Sequence, residues 1–221
     1  TQPSATRLFC VCKALISVLS KFNSDPISNM TREEVFERIA NQVGRHNVSC
    51  NCEKCKQMCQ RTPCLGTPQD ILALINAGHV DKVCYTEWAA GMALGHTRRP
   101  IPMVQLKSTG SKVDGCCICY HDGKCELHEN GLKPTEGKLS HHEVSARELL
   151  PQYNLSFQVA LEWTKDENLP LIYKIMKKLI EYEYMNKYDP SPTVGGIFTG
   201  IIGVYITFFS SRAMGLLYSD V

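Results

Sequence analysis

Residues 50–64 read Cys50-Asn-Cys52-Glu-Lys-Cys55-Lys-Gln-Met-Cys59-Gln-Arg-Thr-Pro63-Cys64. Thiolate and imidazole are ligands that zinc and iron–sulfur centres take. Cys52 and Cys55 stand at the interval that lets a turn present two sulfurs to one ion. Cys55 and Cys59 are one helical turn apart, on one face of a helix. Pro63 forces a non-helical approach to Cys64. Four thiolates converging in this way repel one another unless a cation neutralises them.

A second ligand-rich stretch lies downstream. Cys116, Cys117, Cys119 and Cys125 run into His128, His141 and His142. Two such segments separated by a helix-like stretch predict one metal site closed by remote parts of the chain. Asp122-Gly123 is a strong hairpin-turn signal, so 116–121 and 124–128 are expected as two short strands. A two-residue turn opposes His121 to Lys124, Cys119 to Glu126 and Cys117 to His128. The other face then pairs Tyr120 with Cys125 and Ile118 with Leu127.

The flanks read as helices. Leu8, Val11, Leu15 and Val18 recur at helical spacing over 7–22. Thr31-Arg-Glu-Glu34 is a capping box opening a helix to about Val43. Thr67 caps another, with Pro68 in its first turn, Asp70 at its positive end and Gly78 at its stop. That helix places Cys64 just before an N-terminus, where a thiolate is electrostatically favoured. Residues 84–102 read as irregular, with an extended stretch at Pro100-Ile-Pro102 and a strand over 103–106. Helices are expected over 152–163 and 169–184, the second with Lys174, Lys177 and Lys178 on a solvated face. The resulting fold class is α+β, mainly helical: a small metal-stabilised cysteine-rich domain with a short β-hairpin. Its organisation is an N-terminal helical extension (1–49), a cysteine/histidine metal-binding domain (50–165) and a C-terminal helical region with an apolar tail (166–221).

Charge excludes one class of partner. Against 24 Lys and Arg stand 22 Asp and Glu, a net charge of +2, which makes no electrostatic case for nucleic acid. The 12 cysteines invite a disulfide reading, but disulfide frameworks spread their cysteines along the chain. Tight clusters accompanied by histidine favour metal and a reducing, cytoplasmic setting. The N-terminal stretch lacks a clear cleavage motif and reads as an amphipathic helix, so Asn47 in Asn-Val-Ser is a glycosylation acceptor in form only. An uncharged run, most apolar over 194–209, holds Gly196 and Gly200 at a GxxxG spacing. It barely reaches the ~20 residues of a bilayer span, so membrane association stands as an alternative to a buried segment.

The cysteine stretch also resembles a family. Cys52-Glu-Lys-Cys55-Lys-Gln-Met-Cys59-Gln-Arg-Thr-Pro-Cys64-Leu-Gly-Thr-Pro68 is similar to the front half of bacterial cysteine-cluster proteins of the YkgJ type. The run from Asp122-Gly-Lys-Cys125-Glu-Leu-His128 to Ser-His141-His142 resembles their back half. That family is described as zinc- or iron-chelating, and the similarity covers about residues 50–165. It implies Cys52, Cys55, Cys59 and Cys64 as front ligands, with Cys117, Cys125 and either His128 or the His141/His142 pair behind. Many relatives close the back half with another cysteine after Arg-Pro; here Lys133-Pro134 is followed by histidines.

Three functions follow as expectations. The first is a metal-binding protein with a structural Zn2+. The second is an iron or iron–sulfur protein with a redox role. The third is a membrane-tethered metal module. No phosphate loop, HExxH or nucleophile elbow supports catalysis. Glu126 and Glu136, the acids nearest the cluster, are expected to be solvated, Cys84 to be core, and Cys50 to flank the ligand set.

Overall fold

The computed structural model describes residues 30–46, 52–110 and 115–187, with side chains to residue 183. Helix α1 (Arg32–Val43) starts where Thr31 accepts the Glu34 N–H and Glu34 accepts the Thr31 N–H in return. It stops at Gly44, whose φ of 71° is the left-handed conformation that glycine adopts without strain. Helix α2 (Glu53–Arg61) carries the first cysteines. Helix α3 (Pro68–Asn76) opens with a second reciprocal box, Thr67 with Asp70, and with Pro68 in its first turn. The Thr31 box and the Thr67 cap lie where the sequence places them, and the reciprocal bond of Asp70 to Thr67 is added by the structure.

Residues 84–102 are irregular only in part, and the strand expected over 103–106 is present and begins at Ile101. Strand β1 (Val83–Trp88) pairs antiparallel with β2 (Ile101–Leu106), from Val83 opposite Leu106 to Trp88 opposite Ile101. A one-turn helix, α4 (Ala90–Ala93), lies between them. Strand β2 shows no alternation of burial, since Met103, Val104, Gln105 and Leu106 are all buried. Pro102 is tolerated because each strand of a two-stranded sheet has a free edge.

The second hairpin is shorter than its sequence suggests. Only β3 (Tyr120–His121) and β4 (Lys124–Cys125) pair, with Tyr120 opposite Cys125 and His121 opposite Lys124. Asp122 and Gly123 turn the chain with φ of 50° and 77°, as the turn signal requires. Beyond Cys125 the chain coils into α5 (Glu126–Glu129) instead of extending to His128. Helix α6 (Thr135–Leu139) follows. Helix α7 (Leu155–Leu161) begins where Asn154 accepts the Phe157 N–H at 2.9 Å, and α8 (Leu169–Lys187) is the longest described helix.

One apolar core gathers residues from elements far apart in the described chain, α2 excepted. Val35 and Ile39 of α1, Ile71 and Leu74 of α3, Met103 and Val104 of β2, Trp163, and Ile172 and Ile175 of α8 all belong to it. The Trp163 ring N–H donates to the Gly66 carbonyl at 2.8 Å. Lys174, Lys177 and Lys178 are exposed, whereas Cys84 is half-buried on β1 and not core. His96 lies against Phe157 with ring centroids 5.1 Å apart.

Buried charges are paired. Arg32 donates to Asp70 at 2.6 Å and to the carbonyls of Gly131 and Lys133, tying α1 and α3 to the loop before α6. Glu162 accepts from Arg38 at 2.7 Å and from Lys165 at 2.6 Å. Among the described residues no helix is long and apolar enough to cross a membrane. The expected helix over 7–22, Cys50, Asn47 and the apolar run over 194–209 lie outside the described residues.

Candidate metal centre

Helix α2 has no buried residue. A nine-residue helix is marginal by itself, and most helices are held by an apolar face. This one is held at its ends. At its C-terminal end the Arg61 and Cys59 carbonyls accept N–H bonds from Gly115 and Cys117, both at 2.8 Å. At its N-terminal end Cys52 occupies the cap and Cys55 the first turn, and both face His142.

The Nδ1 atom of His142 is 3.3 Å from the Cys52 sulfur and 3.4 Å from that of Cys55. All three ligand atoms lie within 4.8 Å of one another, which no other group of three Cys, His, Asp or Glu achieves among the described residues. Nδ1 has one in-plane lone pair, so two thiols cannot both donate to it well. A cation between the three atoms would satisfy all of them. With Zn–S near 2.3 Å and Zn–N near 2.1 Å, a tetrahedral site puts sulfur and nitrogen about 3.6 Å apart. The observed separations differ from that by a few tenths of an ångström, so the residues present fit such an ion.

His141 is engaged otherwise. Its ring lies 4.1 Å from that of His142, and its Nδ1 accepts the Glu143 N–H at 3.2 Å. His128 sits on α5, exposed, outside the trio.

The remaining candidates surround a cavity of about 720 Å³ beside the trio. Cys55, Cys59, Cys64, Cys125, His128, Lys133 and Glu136 are among the residues that line it. Cys117 is buried behind Cys59, joined to it through the backbone. No disulfide joins one described cysteine to another.

Burial pushes the Cys59 thiol up to about 11; Lys133 pulls the other way, while Cys125, Cys117 and Cys116 add to the rise. Cys64 is raised well above its ordinary value, first by burial and then by Cys117 and Glu136. The expectation of a favoured Cys64 thiolate is therefore reversed: the cost of desolvating the charge outweighs the nearby helix end. Cys125 is also raised by burial. A hydrogen bond from the Cys119 thiol holds Cys117 below its ordinary value, and the same contact, followed by burial, pushes Cys119 up.

Neither acid is simply solvated. Glu136 accepts from the Leu65 N–H and the Ser156 hydroxyl, and burial raises its carboxyl above the ordinary 4.5. Glu126 pairs with Lys82. Lys133, Glu136 and Ser156 as cavity-lining residues were not legible as such. Ser156 follows the ligand-rich stretch without any motif, and only the packing of α6 against α7 brings it to Glu136.

Compared with models of protein families, with curated proteins and with solved structures, the chain matches none.

Proposed function

We propose that this chain is a metal-binding protein whose Cys52, Cys55 and His142 hold a structural zinc ion. The observation that carries the reading is the approach of both sulfurs to one imidazole nitrogen, at 3.3 and 3.4 Å. The role follows from α2, which has no apolar anchor of its own. A cation bridging its first turn to His142 ties the helix to the chain that follows α6. Three protein ligands leave zinc one position for water or a further group. Membership of the YkgJ-type family belongs to the same proposal, supported by the cysteine spacing over 52–64. The tight clustering of cysteine with histidine suits a reducing compartment such as the cytoplasm.

Metal analysis of anaerobically purified chain tests the reading. Zinc near one equivalent for this site, lost in Cys55→Ser and in His142→Ala, is the expected result. Metal content unchanged in both variants would overturn it, and iron in the trio would replace zinc as its ion.

A further inference from the structure

We propose that the loop closing the β1–β2 ribbon is a contact surface for an anionic lipid membrane: Met92 and Leu94 insert while Arg98 and Arg99 meet the headgroups. Residues 89–100 join the two strands. Over 89–95 they read Ala-Ala-Gly-Met-Ala-Leu-Gly, without one polar side chain. All of these except Gly91 are exposed, Met92 at 44% and Leu94 at 48%. An exposed run of apolar residues favours aggregation and is out of place on a surface unless it has a use.

The loop is built to hold that run outward. The Gly91 carbonyl accepts the His96 N–H at 2.7 Å and the Thr97 N–H at 3.2 Å, which folds the chain back behind α4. Gly91 itself is buried, and a Cβ there would stand 2.8 Å from the Trp88 ring and 3.0 Å from the Thr97 hydroxyl. Glycine at 91 is what lets the loop close on its base. Beneath it, Trp88 and His96 both lie against Phe157 of α7, with ring centroids 6.2 and 5.1 Å away. The aromatic rings face inward and the Met92 and Leu94 side chains face water. A loop already held in this shape loses little conformational freedom when it meets a partner.

Charge and size select the partner. No Asp or Glu occurs between Glu87 and Asp114, whereas Arg98 and Arg99 are exposed where the loop returns to β2. Two large apolar side chains beside two guanidinium groups fall short of a protein interface, which takes about 800 Å² from each partner. They suit a membrane surface, where apolar groups sink ~5–10 Å into the boundary of headgroups and acyl chains. Each basic residue there strengthens attachment to acidic lipid about fivefold. Such a contact lies at the surface and differs in place and kind from a bilayer span over 194–209. It does not depend on the metal reading.

The full chain is sedimented with vesicles at millimolar lipid, one set of phosphatidylcholine alone and one of equimolar phosphatidylcholine and phosphatidylserine. The expected result is binding to the acidic set, weakened by salt. Arg98→Gln/Arg99→Gln should bind about thirtyfold more weakly. Met92→Ser/Leu94→Ser should bind at least about tenfold more weakly. Lys174→Gln/Lys178→Gln, the same charge change on the exposed face of α8, should weaken binding far less. Oxidation of the unmutated chain by dilute peroxide, mapped by mass spectrometry, needs no variant to fold. Acidic vesicles should protect Met92 and leave Met58, which is 40% exposed on α2, as reactive as before. Absence of binding to the acidic vesicles overturns the proposal. So does binding that both loop variants retain, or equal oxidation of Met92 with and without lipid. Self-association that Met92→Ser/Leu94→Ser abolishes, without lipid binding, would give the loop to a second copy of the chain instead.

Discussion

His142 Nδ1 and the Cys52 sulfur lie 3.3 Å apart although 90 residues separate them in the chain. The contact joins the start of α2 to the segment after α6, and it brings the two cysteine-rich halves of the chain together. Removal of a bound ion should loosen α2 first, because the helix lacks a buried face. A chelator is expected to raise amide hydrogen exchange over 53–61 while α3 and α8 keep their protection. Uniform loss of protection would contradict a local role.

Asp70 is 1% exposed and accepts from Arg32, from the Thr67 N–H and from the Thr135 N–H. Asp70→Ala leaves the Arg32 charge and two N–H groups without their acceptor. Removal of one partner of a buried pair costs about 3–5 kcal/mol. Urea denaturation should show that loss, and a change below about 1 kcal/mol would contradict the pairing as a fold determinant.

Trp163 is 1% exposed and its ring N–H reaches the Gly66 carbonyl, just before the Thr67 cap. Trp163→Phe keeps most of the packing but leaves that carbonyl unpaired, at a cost of about 1–3 kcal/mol. Trp163→Ala adds a cavity and should cost about 3–5 kcal/mol. Equal destabilisation in the two variants would contradict a role for the hydrogen bond.

Glu136 gives a pH dependence of defined sign. Burial raises its carboxyl above 4.5, so above that pH the native chain keeps a proton that the unfolded chain has released. Its contribution to stability therefore declines as pH rises from 4.5 through the native value. Glu136→Gln removes the titration and can still accept from Leu65. The variant's stability relative to the wild-type chain should improve as pH rises from about 5 to 8. A difference that is flat with pH would contradict the burial of an ionisable carboxyl.

Metal-free Cys59 is held at about 11 by burial. At pH 8 its thiolate population is roughly a hundredth of that of an ordinary thiol, offset in part by the greater nucleophilicity of a more basic sulfur. Iodoacetamide should modify it about tenfold more slowly than a model thiol. A rate equal to the model's would show an exposed sulfur.

The legible parts of the chain are those specified locally. The caps at Thr31 and Thr67 and the Asp122-Gly123 turn each need only a few neighbouring residues, and each lies where the sequence indicates. The strand expected over 103–106 is the greater part of β2, but β1 and its pairing were not legible, because the pairing joins segments separated by α4. The extended second strand ends early for a tertiary reason: Glu126 turns into α5 and pairs with Lys82, so His128 never faces Cys117 across a ladder. The spacing of 52–64 marked the ligand-bearing segment, but which cysteine meets which histidine depends on the path of the chain from α6. That path brings His142, and not His128, to the start of α2.

The most direct test of the central claim is metal content per chain after anaerobic purification, measured by mass spectrometry on the wild-type protein and on Cys55→Ser/His142→Ala. The account predicts a bound metal in the first and one equivalent fewer in the second. Identical metal content in the two, or none in the wild-type protein with every thiol free to react, would contradict it.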